Sequence, residues 1–353
     1  MAEQESGSQY LDLASLSALP KFTGGTTEFY NTDATEKLRE DIVRSLTRDQ
    51  GLEAVMRVRA SSGLKISAFY GHLFIRGHDL LALPNIDSDK AYGIELQHTG
   101  SFASTPNVSL QVAVLYTSLS GQRRIRVHNL VLPLTAELGD LYRDADLDAT
   151  MNLMAKIAVD SVPRRGLTAV KNDIRDKVAK LLSTYKKVMK QGGGFNQLVL
   201  PDAFRLLPLY ACALAKTDAL MGGQEVRADE RVFAFNVLST ANCSQSNLFI
   251  HPLAFALNEI GEDTDDEQND EEYIDLSTLR LHPLSRKLVN TETAVLLLTD
   301  GIVIYLWLGK QPLNDPQLSA DVSQVVKSVN RPSDEANEQE VYVPTTRIGK
   351  NLK

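Results

Sequence analysis

GLEAVMRVRASSGLKISAFYGHLFIR (residues 51–76) reads as strand, turn and strand. In its first half Arg57 and Arg59 alternate with Met56 and Val58. That period of two puts both guanidinium groups on one face of a pleated strand and both apolar side chains on the other. Three further stretches, YGIELQ (92–97), VSLQVAVLYTS (108–118) and RRIRVHNLVLP (123–133), have the same β-branched or alternating texture. Ser-Gly, Pro-Asn and Ser-Gly-Gln pairs and triplets separate them as turns. Five strands at this spacing predict a β-sandwich or barrel over residues 51–136.

Outward from this block the texture changes. After Pro133 apolar residues recur at three- and four-residue intervals over Leu141–Ser161, Ala169–Lys190 and Asp202–Ala219, which predicts a helical domain over 137–240. The Gln191-Gly192-Gly193-Gly194 tract connects two of its helices and lacks the GK[ST] ending of a phosphate loop. Before the strands, residues 11–30 predict a short helix, a Thr23-Gly24-Gly25 turn and a strand, followed by a helix over Thr35–Arg48 with Leu38, Ile42, Val43 and Leu46 on one side. Residues 1–50 are too few to bury a core of their own and read as the incomplete end of an α/β domain whose earlier strands are missing. In the last segment, 241–353, residues 259–272 hold nine acidic side chains and read as a solvated loop. TAVLLLTDGIVIYLWLGK (293–310) then predicts two strands about an Asp300-Gly301 turn. A helix over Gln317–Ser328 and a strand at Val341–Val343 complete a small α+β unit.

The 353 residues are 43% hydrophobic and 23% charged, ordinary for a globular chain, and the formal net charge of -8 argues against nucleic acid as a partner. Cys212 and Cys243 have no CxxC companion or metal-spaced histidine, so neither a disulfide framework nor a zinc site is expected. No signal-peptide layout opens the chain, and no apolar run approaches the ~18 residues of a membrane span, which predicts a cytoplasmic location. The GxSxG, HExxH, Walker and GxGxxG motifs are absent, and His72 reads as a half-buried strand residue. No enzyme, cofactor or metal is expected.

The cations on strands are more informative. Arg57 and Arg59 share one face, and Arg124, Arg126 and His128 repeat the spacing with Ile125 and Val127 opposite. Such rows belong either to a solvated sheet face or to a groove for carboxylates, which a guanidinium can grip through two parallel hydrogen bonds.

Seven blocks in succession, LDLASLSALPKFTGG (11–25), residues 51–85, residues 110–135, LYRDADLDATMNLMAKIAVD (141–160), FRLLPLYACALAKTDAL (204–220), ADERVFAF (228–235) and AVLLLTDGIVIYLWLGK (294–310), resemble the carboxy-terminal half of the COPII coat's cargo-adaptor subunit, the Sec-twenty-four family. The resemblance covers nearly all of residues 10–310 and is more specific than any block alone. It implies a multidomain α+β architecture: the end of an α/β trunk (1–50), a β-sandwich (51–136), an all-helical domain (137–240) and a gelsolin-like domain (241–353).

The resemblance also implies a sister inner-coat subunit and a membrane-recruiting small GTPase as partners. It implies peripheral contact with the endoplasmic-reticulum membrane and COPII vesicles, and capture of cytosolic export signals of transmembrane cargo. Arg57, Arg59 and Leu115 match positions that line a pocket for acidic export signals in that family. The sequence departs from the family in having no zinc-finger cysteines, little of the trunk and a different stretch after Gly309. The sister subunit and a gelsolin-like interaction platform without cargo selection are the alternatives.

Overall fold

The structure is a computed structural model that describes residues 10–30, 35–77, 79–100, 102, 106–191, 200–223, 226–256 and 281–311. The acidic stretch 259–272, the glycines at 192–194 and the expected elements at 317–328 and 341–343 lie outside them. The chain divides into two compact units, residues 1–247 and 248–353.

The first unit opens with α1 (Leu13–Leu16), α2 (Ala18–Thr23) and α3 (Thr35–Thr47). Gly24 ends α2 at φ 73°, and a Cβ there would lie 2.1 Å from the Asn85 carbonyl oxygen, so the expected turn demands glycine for both conformation and space. The strand expected after it is not formed: residues 26–30 are irregular, with no ladder neighbour. α3 forms as expected, but Leu38, Ile42, Val43 and Leu46 are all exposed. The charged end of this helix is better held. Asp87 takes an ion pair from Arg48 at 3.2 Å and another from Lys90 at 2.6 Å, and its side chain is fully buried.

The sandwich follows as β1 (Gln50–Ala60), β2 (Leu64–Tyr70), β3 (Phe74–Ile75), β4 (Leu80–Asp87), β5 (Gly93–His98), β6 (Asn107–Ser118) and β7 (Arg123–Pro133). An antiparallel sheet in the order β3-β4-β1-β6-β7 faces a two-stranded sheet of β2 and β5. Ala54, Met56 and Val58 of β1, Leu81 and Leu83 of β4 and Tyr116 of β6 are buried against Ile66, Phe69 and Ile94 of the smaller sheet. Alternation thus sorts β1 as expected. β4 departs from the expected pattern, because Pro84-Asn85 lies inside a strand rather than at a turn. Pro84 lacks an N–H and sits opposite Glu53, the residue at φ 51° where β1 bulges against β6. β3 pairs only with Leu81 and Ala82, which leaves β4 an edge at Pro84, and an edge is a place where a strand tolerates proline.

The helices are α4 (Leu138–Arg143), α5 (Leu147–Arg165), α6 (Leu167–Gln191), α7 (Leu207–Leu214), α8 (Ala228–Thr240) and α9 (Cys243–Ile250). The helix expected over Leu141–Ser161 is two, because Asp146 caps α5 by accepting the Ala149 N–H at 2.9 Å. Helical structure also runs beyond residue 240. In α9, Asn247 donates to Asp148 at 2.7 Å, and Ser246 accepts from Asn152 at 2.8 Å. Asp229, buried in the first turn of α8, accepts the backbone N–H groups of Leu11 (2.8 Å) and Leu13 (2.9 Å). The amino-terminal segment is thereby tied to the helices.

The second unit holds β8 (Leu253–Ala256), β9 (Leu281–His282), α10 (Arg286–Val289), β10 (Val295–Thr299) and β11 (Ile304–Leu308), with antiparallel order β11-β10-β8-β9. The Asp300-Gly301 turn forms where expected: Asp300 Oδ1 accepts from Ile302 and Val303 N–H groups, and Gly301 adopts φ 84°. Trp307 packs on Ala256, Ala294 and Leu296 and donates its Nε1–H to the Val289 carbonyl at 3.1 Å.

Candidate functional site

The central strand β1 presents Arg57 and Arg59 to solvent because Met56 and Val58 are drawn inward. Register then decides what stands beside them. Arg57 is paired across β6 with Ala113, and Ala113 across β7 with Val127; Val55, Leu115 and Ile125 form the next row on this face. Arg59, Gln111 and Asn129 form the third, with Gln111 Nε2 donating to Asn129 Oδ1 at 3.0 Å.

Leu115 is diagonal to Arg57, a separation of about 7–8 Å that long side chains span. Arg57, Arg59 and Leu115 therefore share one face. The small Ala113 makes a shallow trough between Arg57 and the exposed aliphatics Val127 (51% exposed) and Ile125 (69%).

Arg57 is already engaged. Its Nε donates to Asp79 Oδ2 at 2.6 Å, and the Asp79 carbonyl accepts the Val58 N–H at 3.3 Å, which fixes the carboxylate beside the arginine. The Arg57 hydrogen bond, helped by the Arg57 and Arg59 charges, holds the Asp79 carboxyl below its ordinary range. Among the described residues Arg59 has no ion-pair or hydrogen-bond partner. An incoming carboxylate would meet one open guanidinium and one shared with Asp79.

The second cationic row does not join the first. Arg124, Arg126 and His128 pair with Tyr116, Val114 and Val112, which lie on the core side of β6, so they project from the opposite face of the sheet. Their spacing was legible, but their side of the sheet depended on register. Ile125 and Val127, read only as the far side of that row, are the residues that border the arginine pair.

His72 differs from the expectation in being fully buried and in the turn after β2, with Nδ1 3.3 Å from the Gly25 carbonyl. Burial lowers its pKa to about 4, so it is neutral near pH 7. Lys156, missed in the sequence among the apolar positions of α5, is 1% exposed and donates to the carbonyls of Leu238 (3.4 Å), Ser239 (2.8 Å) and Ala241 (2.9 Å). It closes the carboxy-terminal end of α8, where a cation is favoured, while burial lowers its pKa to about 8. Cys212 and Cys243 are free thiols.

Among the described residues no cluster of His, Cys, Asp or Glu could hold a metal, and no helix is long and apolar enough to cross a membrane. A hollow of about 50 Å³ lined by Met154, Ile157, Arg165 and Asp173 is far below the size of a small-molecule site.

Residues 51–135 match the model of the Sec23/Sec24 beta-sandwich domain, and residues 146–248 that of the Sec23/Sec24 helical domain. The chain is 35% identical over 310 residues to human protein transport protein Sec24B, covering 86% of this chain and 24% of that protein. It is 32% identical to SEC24 A of Arabidopsis thaliana, covering 92% of this chain and 31% of that protein. A protein transport protein sec24 of Aspergillus clavatus is 36% identical, with 89% of this chain and 34% of the relative covered. The crystal structure of the human COPII-coat protein Sec24c superposes with a TM-score of 0.74 at 30% identity, over 85% of this chain and 39% of that one. The chain thus spans roughly a quarter to a third of the length of these curated relatives. With the sandwich and helical domains in family order and Sec24 relatives along most of its length, the chain belongs to the Sec24 family.

Proposed function

We propose that this chain acts in a COPII-type vesicle coat as a cargo-binding module, and that Arg57, Arg59 and Leu115 receive acidic export signals from the cytosolic tails of transmembrane cargo. The observation that carries the site is the convergence of these three residues on one exposed sheet face. There two guanidinium groups can take carboxylates by charge-assisted hydrogen bonds, and Leu115 offers an adjoining apolar contact. This is binding rather than catalysis. The relatives' role in protein transport and the coat named for Sec24c support the setting. In that setting the chain works beside a sister inner-coat subunit and a small GTPase, peripherally on endoplasmic-reticulum membrane and vesicles, with a gelsolin-like second unit.

The test is titration of an acidic export peptide. Interface arginines typically cost about 1–4 kcal/mol on truncation, so the Arg57→Ala/Arg59→Ala variant should bind roughly one to three decades more weakly. Lys187→Ala, at an exposed position of α6, should match the parent. Binding should also weaken with salt. Equal binding by the double variant and the parent would refute the site.

A further inference from the structure

Between β3 and β4 the backbone sets one carboxylate against β1. Arg76 and Gly77 donate their N–H groups to the Leu80 carbonyl at 2.9 and 3.2 Å, and the Asp79 carbonyl accepts the Val58 N–H. Asp79 is thus fastened to β1 at the residue that separates the two arginines. From there its Oδ2 takes the Arg57 Nε–H at 2.6 Å, with 49% of the Arg57 side chain and 38% of the Asp79 side chain still open to solvent. Arg59 acts on Asp79 through its charge alone.

Asp79 offers Arg57 the group that an acidic signal would bring, a carboxylate oxygen on a guanidinium N–H. Two carboxylates about one guanidinium leave a net negative charge, so an entering carboxylate has to displace Asp79 or be repelled by it. Displacement is easy, because an exposed ion pair is weak. It is also easily undone. A carboxylate tethered on the same sheet competes at an effective concentration on the order of millimolar or more.

We propose that Asp79 is an internal competitor of the export-signal site, a stand-in carboxylate that takes Arg57 back from a bound signal and speeds its release. The inference rests on reading Arg57, Arg59 and Leu115 as that site. A signal with one carboxylate settles on Arg59 and leaves the Arg57–Asp79 pair intact. A signal with two carboxylates engages both arginines and meets the competition at Arg57. Asp79 therefore narrows the difference in lifetime between singly and doubly acidic signals, and keeps the tighter class exchangeable.

The experiment follows dissociation of two labelled peptides from the full chain by stopped-flow fluorescence. One carries two glutamates at the two-residue spacing of the arginines, the other a single glutamate. Asp79→Asn should slow release of the doubly acidic peptide about two- to five-fold, a gain that a misfolded variant could not show, and leave the singly acidic peptide unchanged. In an Arg57→Ala background the same substitution should alter neither rate, because no guanidinium is left to contest. Equal slowing of both peptides, or the same slowing without Arg57, would reduce Asp79 to a background charge and overturn the proposal. Faster release from Asp79→Asn would also overturn it, by making Asp79 a residue that orients Arg57 for the ligand. Failure of the site itself reads differently: Arg57→Ala/Arg59→Ala would then release the doubly acidic peptide at the parent's rate, and the proposal would fall with it.

Discussion

β1 and β7 carry nearly the same sequence device, arginines two apart with β-branched or flexible apolar residues between them, and the sheet uses the two strands in opposite ways. In β1 the intervening Met56 and Val58 are core, and the arginines are the solvent face. In β7 the intervening Ile125 and Val127 are exposed, and the arginines project on the core side, beyond the reach of the smaller sheet. Alternation fixes which residues of a strand share a face. Which face that is depends on pairing, here through β6 and the bulge at Glu53.

The comparison can be broken by truncating equivalent apolar positions. Met56→Ala leaves a cavity in the sandwich and should destabilise by about 2–5 kcal/mol, whereas Ile125→Ala should change stability by less than about 0.5 kcal/mol. Urea unfolding monitored by circular dichroism measures both. Comparable losses at the two positions would mean that β7 is covered and that the contrast is wrong.

A buried cation sharpens it further. Removing the ammonium with Lys156→Met leaves three carbonyls at the end of α8 without their donor, at a cost of about 1–3 kcal/mol near pH 7. The folded pKa of about 8 lies below the unfolded value near 10.5. Between those values the unfolded chain holds the proton that the folded chain has released, so this group's contribution to stability rises with pH. The stability difference between parent and Lys156→Met should therefore grow from about pH 8 toward 10.5; a shrinking difference would contradict the assignment.

A smaller effect is expected at Asp79. Asp79→Asn removes the carboxylate that shares Arg57 through an exposed, solvent-screened ion pair. Acidic peptides should bind about two- to five-fold more tightly to that variant in an isothermal titration. In the parent, a ligand that draws Arg57 away from Asp79 removes the contact that lowers the Asp79 pKa, so acidification relieves the competition even as it protonates peptide carboxylates near pH 4, and affinity should fall there more slowly than in the variant. Unchanged affinity would show that Arg57 does not meet the ligand.

Much of this was legible in the sequence, and the exceptions have local causes. Alternation sorted β1, β6 and β7 into faces, and the Thr23-Gly24-Gly25 and Asp300-Gly301 turns were marked by residues that tolerate positive φ. β4 was hidden because Pro84-Asn85 carries turn chemistry, and proline is admissible there because β3 pairs only with Leu81 and Ala82, which leaves β4 an edge at Pro84. α9 was hidden because CSQSNLFI has little amphipathic periodicity, and its place is set by side-chain hydrogen bonds to Asp148 and Asn152. The extended run at 26–30 looked like a strand but has no ladder neighbour.

In the site, Arg57 and Arg59 could be read from spacing, and Leu115 from family resemblance. Asp79 could not, since a contact across 22 positions leaves no periodic signal. The same holds for Ile125 and Val127 as neighbours of the arginine pair.

The most direct test of the central claim is a charge exchange on β1. Arg57→Glu/Arg59→Glu keeps the polar, solvent-facing character of both positions and reverses the field. Paired titrations with an acidic export peptide and its lysine counterpart should show the parent preferring the acidic peptide and the variant preferring the basic one, with the variant's unfolding midpoint lowered slightly because position 57 then sets a second carboxylate against Asp79. If both proteins keep the same preference for the acidic peptide, the Arg57 and Arg59 face is not where acidic signals bind.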